Sequence, residues 1–526
     1  MPSTLTYPGV YVQEIPSGVR TLTGVATSVT AFMGRTQRGP VNKAVTITSY
    51  KDFERAFGGL WTDGPMTYAL NDFFRNGGSQ AVIVRLFHQP TVGSAAASGI
   101  ATFAVDTLNL VAANPGAWGN NLLIAVDYKD RTGTVSTEIA AGLGVAATDL
   151  FNLTVTYFSS TGAVSERFVN LTIKDSLRRV DRVLAQGSKF VRVAVDSAGA
   201  AALPTALPAE STTNSAGELG VRAAAGTALD SAALTTTDYS FSAFDEADTL
   251  NLMCLPPDAR AGDTPAAVYS AALDYCVKRR AILIVDPPAA WSSKAASEIK
   301  ISDLGLSGTA ARNAAVYYPR VLQSDPLRGN MQDQFVPCGS VAGIISRTDT
   351  QRGVWKAPAG LDAALAGVDA LSLKLTDSDS GFLNPQGINC LRSFPASGQV
   401  IWGGRTARGA DALGDEYKYL PVRRLALYVE ESIYRGTQWA VFEPNDAPLW
   451  SQLRLNVTSF MQGLFQQGAF QGQSPREAYF VKCDQETTTA DNIAAGIVNI
   501  VVGFAPLKPA EFVVLQFQQM AGQTSS

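Results

Sequence analysis

One histidine, His88, stands in a chain of 526 residues, and that removes most imidazole chemistry. A His-based zinc site, a two-histidine motif or a Ser–His nucleophile would each depend on that residue. It ends the apolar run AVIVRLFHQP just before Pro90, where a polar residue closing a strand is the simpler reading. The five cysteines, Cys254, Cys276, Cys338, Cys390 and Cys483, are far apart and form no C-x-x-C. They outline neither a zinc framework nor a disulfide-dense secreted scaffold, and they fit a chain folded in a reducing cytoplasm.

Other patterns fail on context. Gly142-Leu-Gly-Val-Ala-Ala147 matches G-x-G-x-x-G/A, but a β-rich run follows where a helix should open onto a pyrophosphate. No G-x-x-x-x-G-K-[ST] occurs, and Gly339-Ser-Val-Ala-Gly343 has the wrong spacing for a nucleophile elbow. Asp377-Ser-Asp379-Ser-Gly381 lacks the third oxygen ligand and the closing glutamate of a calcium loop, so it reads as an acidic turn. Glu430 and Glu431 could be imagined as an acid/base pair. However, Glu431 and Arg435 are spaced i,i+4 in the order that favours a helix-surface ion pair. No catalytic, cofactor-binding or metal-binding set emerges.

The elements that would position any site are those of a multidomain protein, α/β and α+β. Hydrophobic residues make up 46%, ample for packed cores, while charged residues are only 17%, which suits a surface largely covered by partners. A net charge of −4 supplies no excess positive charge for phosphate, which argues against direct nucleic-acid binding. The start has no basic-then-apolar signal, and the longest near-apolar stretch, 497–506, is too short to span a bilayer. Residues 1–24 read as an extended arm broken by Pro2, Pro8, Pro16, Gly9, Gly18 and Gly24. A first β/α core segment occupies 25–92, with strands at 28–34 and 80–87 and helices at 49–57 and 65–75. Residues 93–195 are β-rich (103–112, 122–128, 153–158 and 167–173, then a helix at 175–186) and read as a small β domain. The stretch 196–240 is rich in Ala, Ser, Thr and Gly and reads as flexible. An α/β core domain follows at 241–387, with strands at 250–255, 281–286 and 314–321 and a helix from 264 to 280. A C-terminal α+β domain spans 388–508, with helices at 422–435 and 448–467 and strands at 478–482 and 498–504. A C-terminal arm occupies 509–526 and holds a strand-like run at 511–519.

Specific segments carry a resemblance. YPGVYVQEIPSG (7–18), RGPVNKAVTITSYKDFERAFGG (38–59), NPGAWGNNL (114–122) and AAVYYPRVLQSDP (314–326) are similar to the contractile tail sheath family. So are VPCGSVAGIISRTDTQRGVWKAPAG (336–360), LNPQGINCLRSFP (383–395), VRRLALYVEESIYRGTQWAVFEPN (422–445), SPREAYFVKCDQETTT (474–489) and VGFAPLKPAEFVV (502–514). That family comprises sheath subunits of contractile-tailed bacteriophages, phage-tail-like bacteriocins and related injection particles. The matches run in order along nearly the whole chain. Cys338 is a departure, because the resemblance leads one to expect a second proline after Pro337.

The resemblance implies a structural subunit and no enzyme, and it implies that the β-rich domain at 93–195 is an insertion. It implies stacked hexameric rings around a tail tube, arms that add strands to neighbouring subunits, and contraction that drives the tube through a target envelope. Implied partners are further copies of the chain, the tail tube protein, and baseplate and tail terminator proteins, with no cofactor and no membrane insertion. The implied setting is a virion tail or extracellular particle assembled in the bacterial host cytoplasm. Phage genome delivery is the first reading, and a headless bacteriocin or protein-translocating particle is the alternative. An α/β enzyme is the competing reading from a different class, and it would need a catalytic constellation that the motifs do not supply.

The residues themselves agree about the arms. Both termini carry strand-like segments set off by Pro and Gly, and a lone strand needs a sheet edge. Val10, Tyr11, Val12 and Ile15, with Phe512, Val513, Val514, Leu515 and Phe517, are expected to pair with neighbours; pairing within the subunit is the alternative. The low-charge helix 448–467 is a candidate tube-facing element through Gln452, Arg454, Asn456 and Ser459, or else an ordinary half-buried helix. Cys338 and Cys390, placed near loops, are candidate cross-linking thiols.

Overall fold

The computed structural model describes residues 22–92, 95–129, 131, 133–159, 162–227 and 229–516. The chain forms two units. One comprises Ser28–Thr350 and Pro358–Lys418; the other gathers residues from Tyr419 onward with Gln351–Ala357 and 22–27.

The larger unit begins with β1 (Thr30–Gly34), β2 (Ala44–Ile47), α1 (Tyr50–Phe57), α2 (Pro65–Arg75) and β3 (Ala81–Arg85). Helix α1 starts where its cap dictates: Ser49 Oγ accepts from the Asp52 N–H and donates to the Asp52 carboxylate. Gly58, at φ 100°, ends it. Pro65 opens α2 at a position that needs no N–H.

The chain then leaves this layer for an inserted domain. Its elements are β4 (Thr91–Val92), β5 (Ala95–Ala96), β6 (Thr102–Val105), β7 (Leu108–Ala112), β8 (Leu122–Asp127) and α3 (Thr134–Leu143). They continue with β9 (Phe151–Ser159), β10 (Gly162–Leu171), α4 (Val180–Gly187), β11 (Val191–Val193) and β12 (Val221–Arg222). Two antiparallel sheets, β10-β9-β8-β12 and β11-β7-β6, share one core around Phe103, Trp118, Ile124, Leu153 and Leu184. The single run expected at 103–112 is a hairpin, because Asp106 turns the chain at φ 53°. Helix α3 occupies a stretch with no helical expectation. The 196–240 stretch is divided: β12 pairs with β8, and Leu203, Leu207 and Val221 pack on the shared core, whereas Leu234 and Tyr239 pack on the core of the main sheet.

The return brings β13 (Leu252–Cys254), α5 (Ala266–Lys278), β14 (Ile282–Val285), β15 (Ala314–Tyr318), β16 (Val321–Asp325) and β17 (Met331–Phe335). Then come α6 (Cys338–Arg352), β18 (Ala370–Leu371), α7 (Asp377–Leu383), β19 (Ile388–Phe394) and β20 (Gly398–Trp402). Eight strands form the main sheet in the order β2-β3-β1-β13-β14-β15-β19-β20. The six inner strands run parallel, and only the edges β2 and β20 are antiparallel to their neighbours. β1, β3, β14 and β15 are buried at every position, so apart from Thr30 at the start of β1 and Arg85 at the end of β3 their sequences are apolar runs without alternation. Because β19 and β20 complete this sheet, the core extends past the boundary expected at 388 and ends at Lys418.

The C-terminal unit contains α8 (Leu420–Gly436), α9 (Ala447–Gln466), β21 (Tyr479–Lys482) and β22 (Val501–Phe504). Leu425 and Val429 of α8 and Val457, Phe460, Met461 and Leu464 of α9 build its core. Asp446 caps α9 by accepting from the Leu449 N–H.

Candidate functional site

An open parallel sheet exposes a ligand crevice where the strand order reverses, outside the carboxyl ends of the two strands at that point. Here the reversal lies between β1 and β13, since β1 neighbours both β3 and β13. The position is occupied by protein. Arg35, just after β1, pairs with the Asp258 carboxylate beyond β13 and donates to the carbonyls of Ser231 (3.1 Å) and Asp258 (3.0 Å). Asp258 also accepts from the Leu234 N–H at 3.0 Å, so the chain returning from the inserted domain is drawn over the crevice. At the end of β3, Arg85 is buried with its guanidinium among the carbonyls of Thr36, Gly39 and Pro115. Burial lowers its pKa, and the Asp230 charge opposes that shift while the carbonyl dipoles face the guanidinium.

The single-residue candidates are accounted for locally. His88 follows β3, with its ring Nδ1 3.0 Å from Asp238 and its backbone bridged to Ala232. Gly144 is the left-handed C-cap of α3 (φ 71°), the opposite end of a helix from the one that binds a pyrophosphate. Asp377 and Asp379 form the first turn of α7, where Thr376 and Asp379 make a capping box; the expected acidic turn is a helix start. Glu431 pairs with Arg435 at 2.6 Å. Among the described residues, no group of three or more His, Cys, Asp or Glu is placed to hold a metal ion. Nor is any helix among them long and apolar enough to cross a membrane.

The thiols differ from expectation. Cys338 begins α6 and Cys390 lies inside β19; both are buried, so neither is accessible for cross-linking. Burial raises the Cys390 thiol to about 11 and the Cys338 thiol well above its ordinary value. The Cys338 N–H donates to Asp286 Oδ1 at 2.9 Å, a bond that a proline at this position could not make.

The exposed apolar features of the C-terminal unit were only partly legible in the sequence. β21 and β22 form a two-stranded antiparallel sheet whose outer edges pair with no other strand among the described residues. Phe480 and Val501 of that sheet are exposed. Phe512, Val513, Val514 and Leu515 form no strand and are between 73% and 81% exposed. Val10, Tyr11, Val12, Ile15 and Phe517 lie outside the described residues.

Of the four residues named on α9, only Ser459 is exposed. Gln452 is half-buried, and Arg454 turns back to donate to the Cys483 carbonyl at 3.2 Å. Asn456 is 1% exposed, a correction to its expected outward position. The open face of α9 is Ser451, Leu455 and Ser459, which carry no charge. Just before the helix, Phe442 is fully exposed at φ 72°. Sequence reading missed it, because no glycine or asparagine marks that turn.

Comparison with known proteins defines the class first. Residues 231–407 match the phage tail sheath protein central domain, and residues 414–520 match the phage tail sheath C-terminal domain. Likeness over the whole chain is more particular. The tail sheath protein of Burkholderia phage BcepMu is 25% identical over 498 residues, covering 93% of this chain and 91% of that one. The tail sheath proteins of Vibrio phage KVP40 and Enterobacteria phage T4 are each 25% identical over 190 residues, or 36% of this chain. Those matches span only 27% and 28% of the two proteins' own lengths. Among solved structures, the helical sheath of the anti-feeding prophage in its contracted state is 23% identical with a TM-score of 0.55, covering 98% of this chain and 100% of that one. A sheath tail protein from Listeria innocua is 13% identical with a TM-score of 0.58, covering 93% and 96%. The chain belongs to the contractile tail sheath protein family.

Proposed function

We propose that this chain is the structural subunit of a contractile tail sheath. It polymerises as stacked hexameric rings around a tail tube and shortens to drive the tube through a target envelope. The observation that carries this reading is likeness to a phage tail sheath protein over almost the full length of both chains. The filled crevice beside β1 suits a subunit with no enzymatic role.

The partners are further copies of the chain, the tube protein, and the baseplate and terminator proteins at the ends of the tail. Subunits are joined by strands from the two arms, the segment around 10–15 and residues 511–517, which complete the open-edged β21–β22 sheets of neighbours. Exposed Phe512–Leu515 and that unpaired sheet support the arrangement, since β-augmentation joins backbone to backbone and seats alternate side chains in pockets. The uncharged face of α9 with Ser459 is turned to the tube, because contacts exchanged during contraction are cheaper without buried ion pairs. Phage genome delivery is the favoured role, on the curated phage relatives, with assembly in the bacterial cytoplasm before release in the virion tail.

Negative-stain microscopy of the purified full-length protein tests the core of this reading. Helical tubes or stacked rings are expected. Small discrete particles under all assembly conditions would refute it.

A further inference from the structure

Residues 22–27 lie along α8 in a way that the strand pattern of the arms does not explain. Leu22 is buried in the C-terminal core beside the last turn of α8. A Cβ on Gly436 would stand 1.5 Å from Leu22 Cδ2 and 2.6 Å from its Cγ, so the leucine sits where a side chain on the helix would be. Two residues on, a Cβ on Gly24 would meet the Tyr428 hydroxyl at 1.8 Å. The Val25 N–H donates to Ser432 Oγ at 3.3 Å, and the Thr27 carbonyl accepts from Arg424 Nη2 at 2.9 Å.

The end contacts set the direction. Residue 22 lies against 436 and residue 27 against 424, with 24 and 25 against 428 and 432 between them, so the segment runs antiparallel to the helix overall. Twelve helical residues rise about 18 Å. Five steps of extended chain cover about 17 Å, so the segment matches the helix with no slack. Neither glycine has a positive φ, so neither is required by backbone conformation. Glycine inside a helix weakens it, and close approach of another segment is the reason left for Gly436.

We propose that residues 22–27 are a seated strap, held in a groove of α8 formed by Gly436, Ser432, Tyr428 and Arg424. The strap fixes the root of the N-terminal segment to the C-terminal unit. Tension on residues 1–21 then enters the subunit through α8, ahead of the first strand of the main sheet. The tension itself rests on the sheath reading; the seat does not. A pull along the strap loads the Leu22 knob and both hydrogen bonds together, so they resist as a set.

The test uses the full-length chain with Gly436→Ala, with Leu22→Ala, and with both. In the unassembled subunit, hydrogen exchange at the Val25 amide is expected to quicken by about tenfold or more in each single variant, with the global unfolding midpoint nearly kept. Combining the two makes room for the new methyl and is expected to recover part of the protection lost in Gly436→Ala. Unchanged exchange in both single variants, or a double variant as fast as Gly436→Ala, would overturn the seat. The single variants are also expected to assemble into fewer and shorter tubes. Faster exchange with normal tubes would overturn the role in carrying tension. A chain lacking residues 1–21 separates the two readings. If it builds normal tubes, the arm reading fails while the exchange data still decide the seat.

Discussion

Asp72 offers a direct test of how this interior is built. It lies within α2, fully enclosed, with its Oδ2 accepting from Gln323 Nε2 of β16 at 2.8 Å. Burial pushes its carboxyl up to about 7, against the opposing pulls of the Gln323 bond and of Arg75. Tyr50 and Tyr68 are its other titratable neighbours, and burial raises both phenols, so they stay neutral. In the unfolded chain this carboxyl has its ordinary value of about 3.9. Between about pH 4 and 7 the folded subunit therefore holds a proton that the unfolded chain has released, and stability falls as pH rises through that window. Above about pH 7 the loss is complete and flat. Raising a carboxyl from 3.8 to about 7 corresponds to about 4 kcal/mol. Asp72→Asn keeps an acceptor for Gln323 and removes the charge. The variant is expected to match the parent near pH 4 and to exceed it by up to about 4 kcal/mol near pH 8, read by urea unfolding of the isolated full-length subunit. Asp286, also buried and raised to about 7, gives the parent a second falling component that the variant retains. If the stability difference between variant and parent stays constant from about pH 4 to 8, the reasoning is refuted.

Other outcomes follow from the same interior. Arg35→Met leaves the Asp258 carboxylate without its main partner and is expected to cost about 2–4 kcal/mol of stability, measured by chemical unfolding. Cys338→Pro removes the N–H that Asp286 accepts and should cost about 1–3 kcal/mol, whereas Cys338→Ser should be near neutral; thermal midpoints of the two variants decide it. Asn456 has a buried side-chain amide with no hydrogen-bond partner among the described residues, so Asn456→Ala should be neutral or stabilising, while Val457→Ala one residue on should cost about 1–3 kcal/mol. Deleting residues 1–20, or everything after Pro509, should leave a folded subunit that no longer forms tubes in the electron microscope. Normal tubes from either truncation would exclude strand donation by that arm.

Local rules carried much of the fold. The Ser49–Asp52 cap, Pro65 at the first turn of α2 and the unbroken apolar run of β14 each act within a few residues, so the sequence displays them directly. Features set by distant packing were not displayed. The first nine residues of α6 are buried on all sides, so no period separates a core face from a solvent face, and the helix went unread. The hairpin at 102–112 turns on Asp106, which lacks the glycine signal expected of such a turn. The boundary at 388 was misplaced because β19 and β20 look like any strands until their pairing with β15 is known.

Surfaces were less legible than folds, for a physical reason. A catalytic site is a set of residue types in a fixed arrangement, and its members leave a chemical signature in the sequence. An assembly surface is defined by what remains uncovered, which depends on how everything else packs. Asn456, Arg454 and Ser459 look equally polar in sequence, yet one is buried, one bonds a backbone carbonyl and one is free to meet another chain. Phe442 and Leu455 look like core residues and are exposed. The arms are the exception: four consecutive large apolar residues, 512–515, following Pro506 and Pro509 have no place in the chain's own core. Their exposure costs the isolated subunit about 25 cal/mol for each Å² of apolar surface left in water, a penalty that pairing with another subunit would relieve. In the proposed arrangement, that difference between isolated and assembled chain is what a donated strand would contribute to holding subunits together, and it would be available only if the strand stayed unpaired at home.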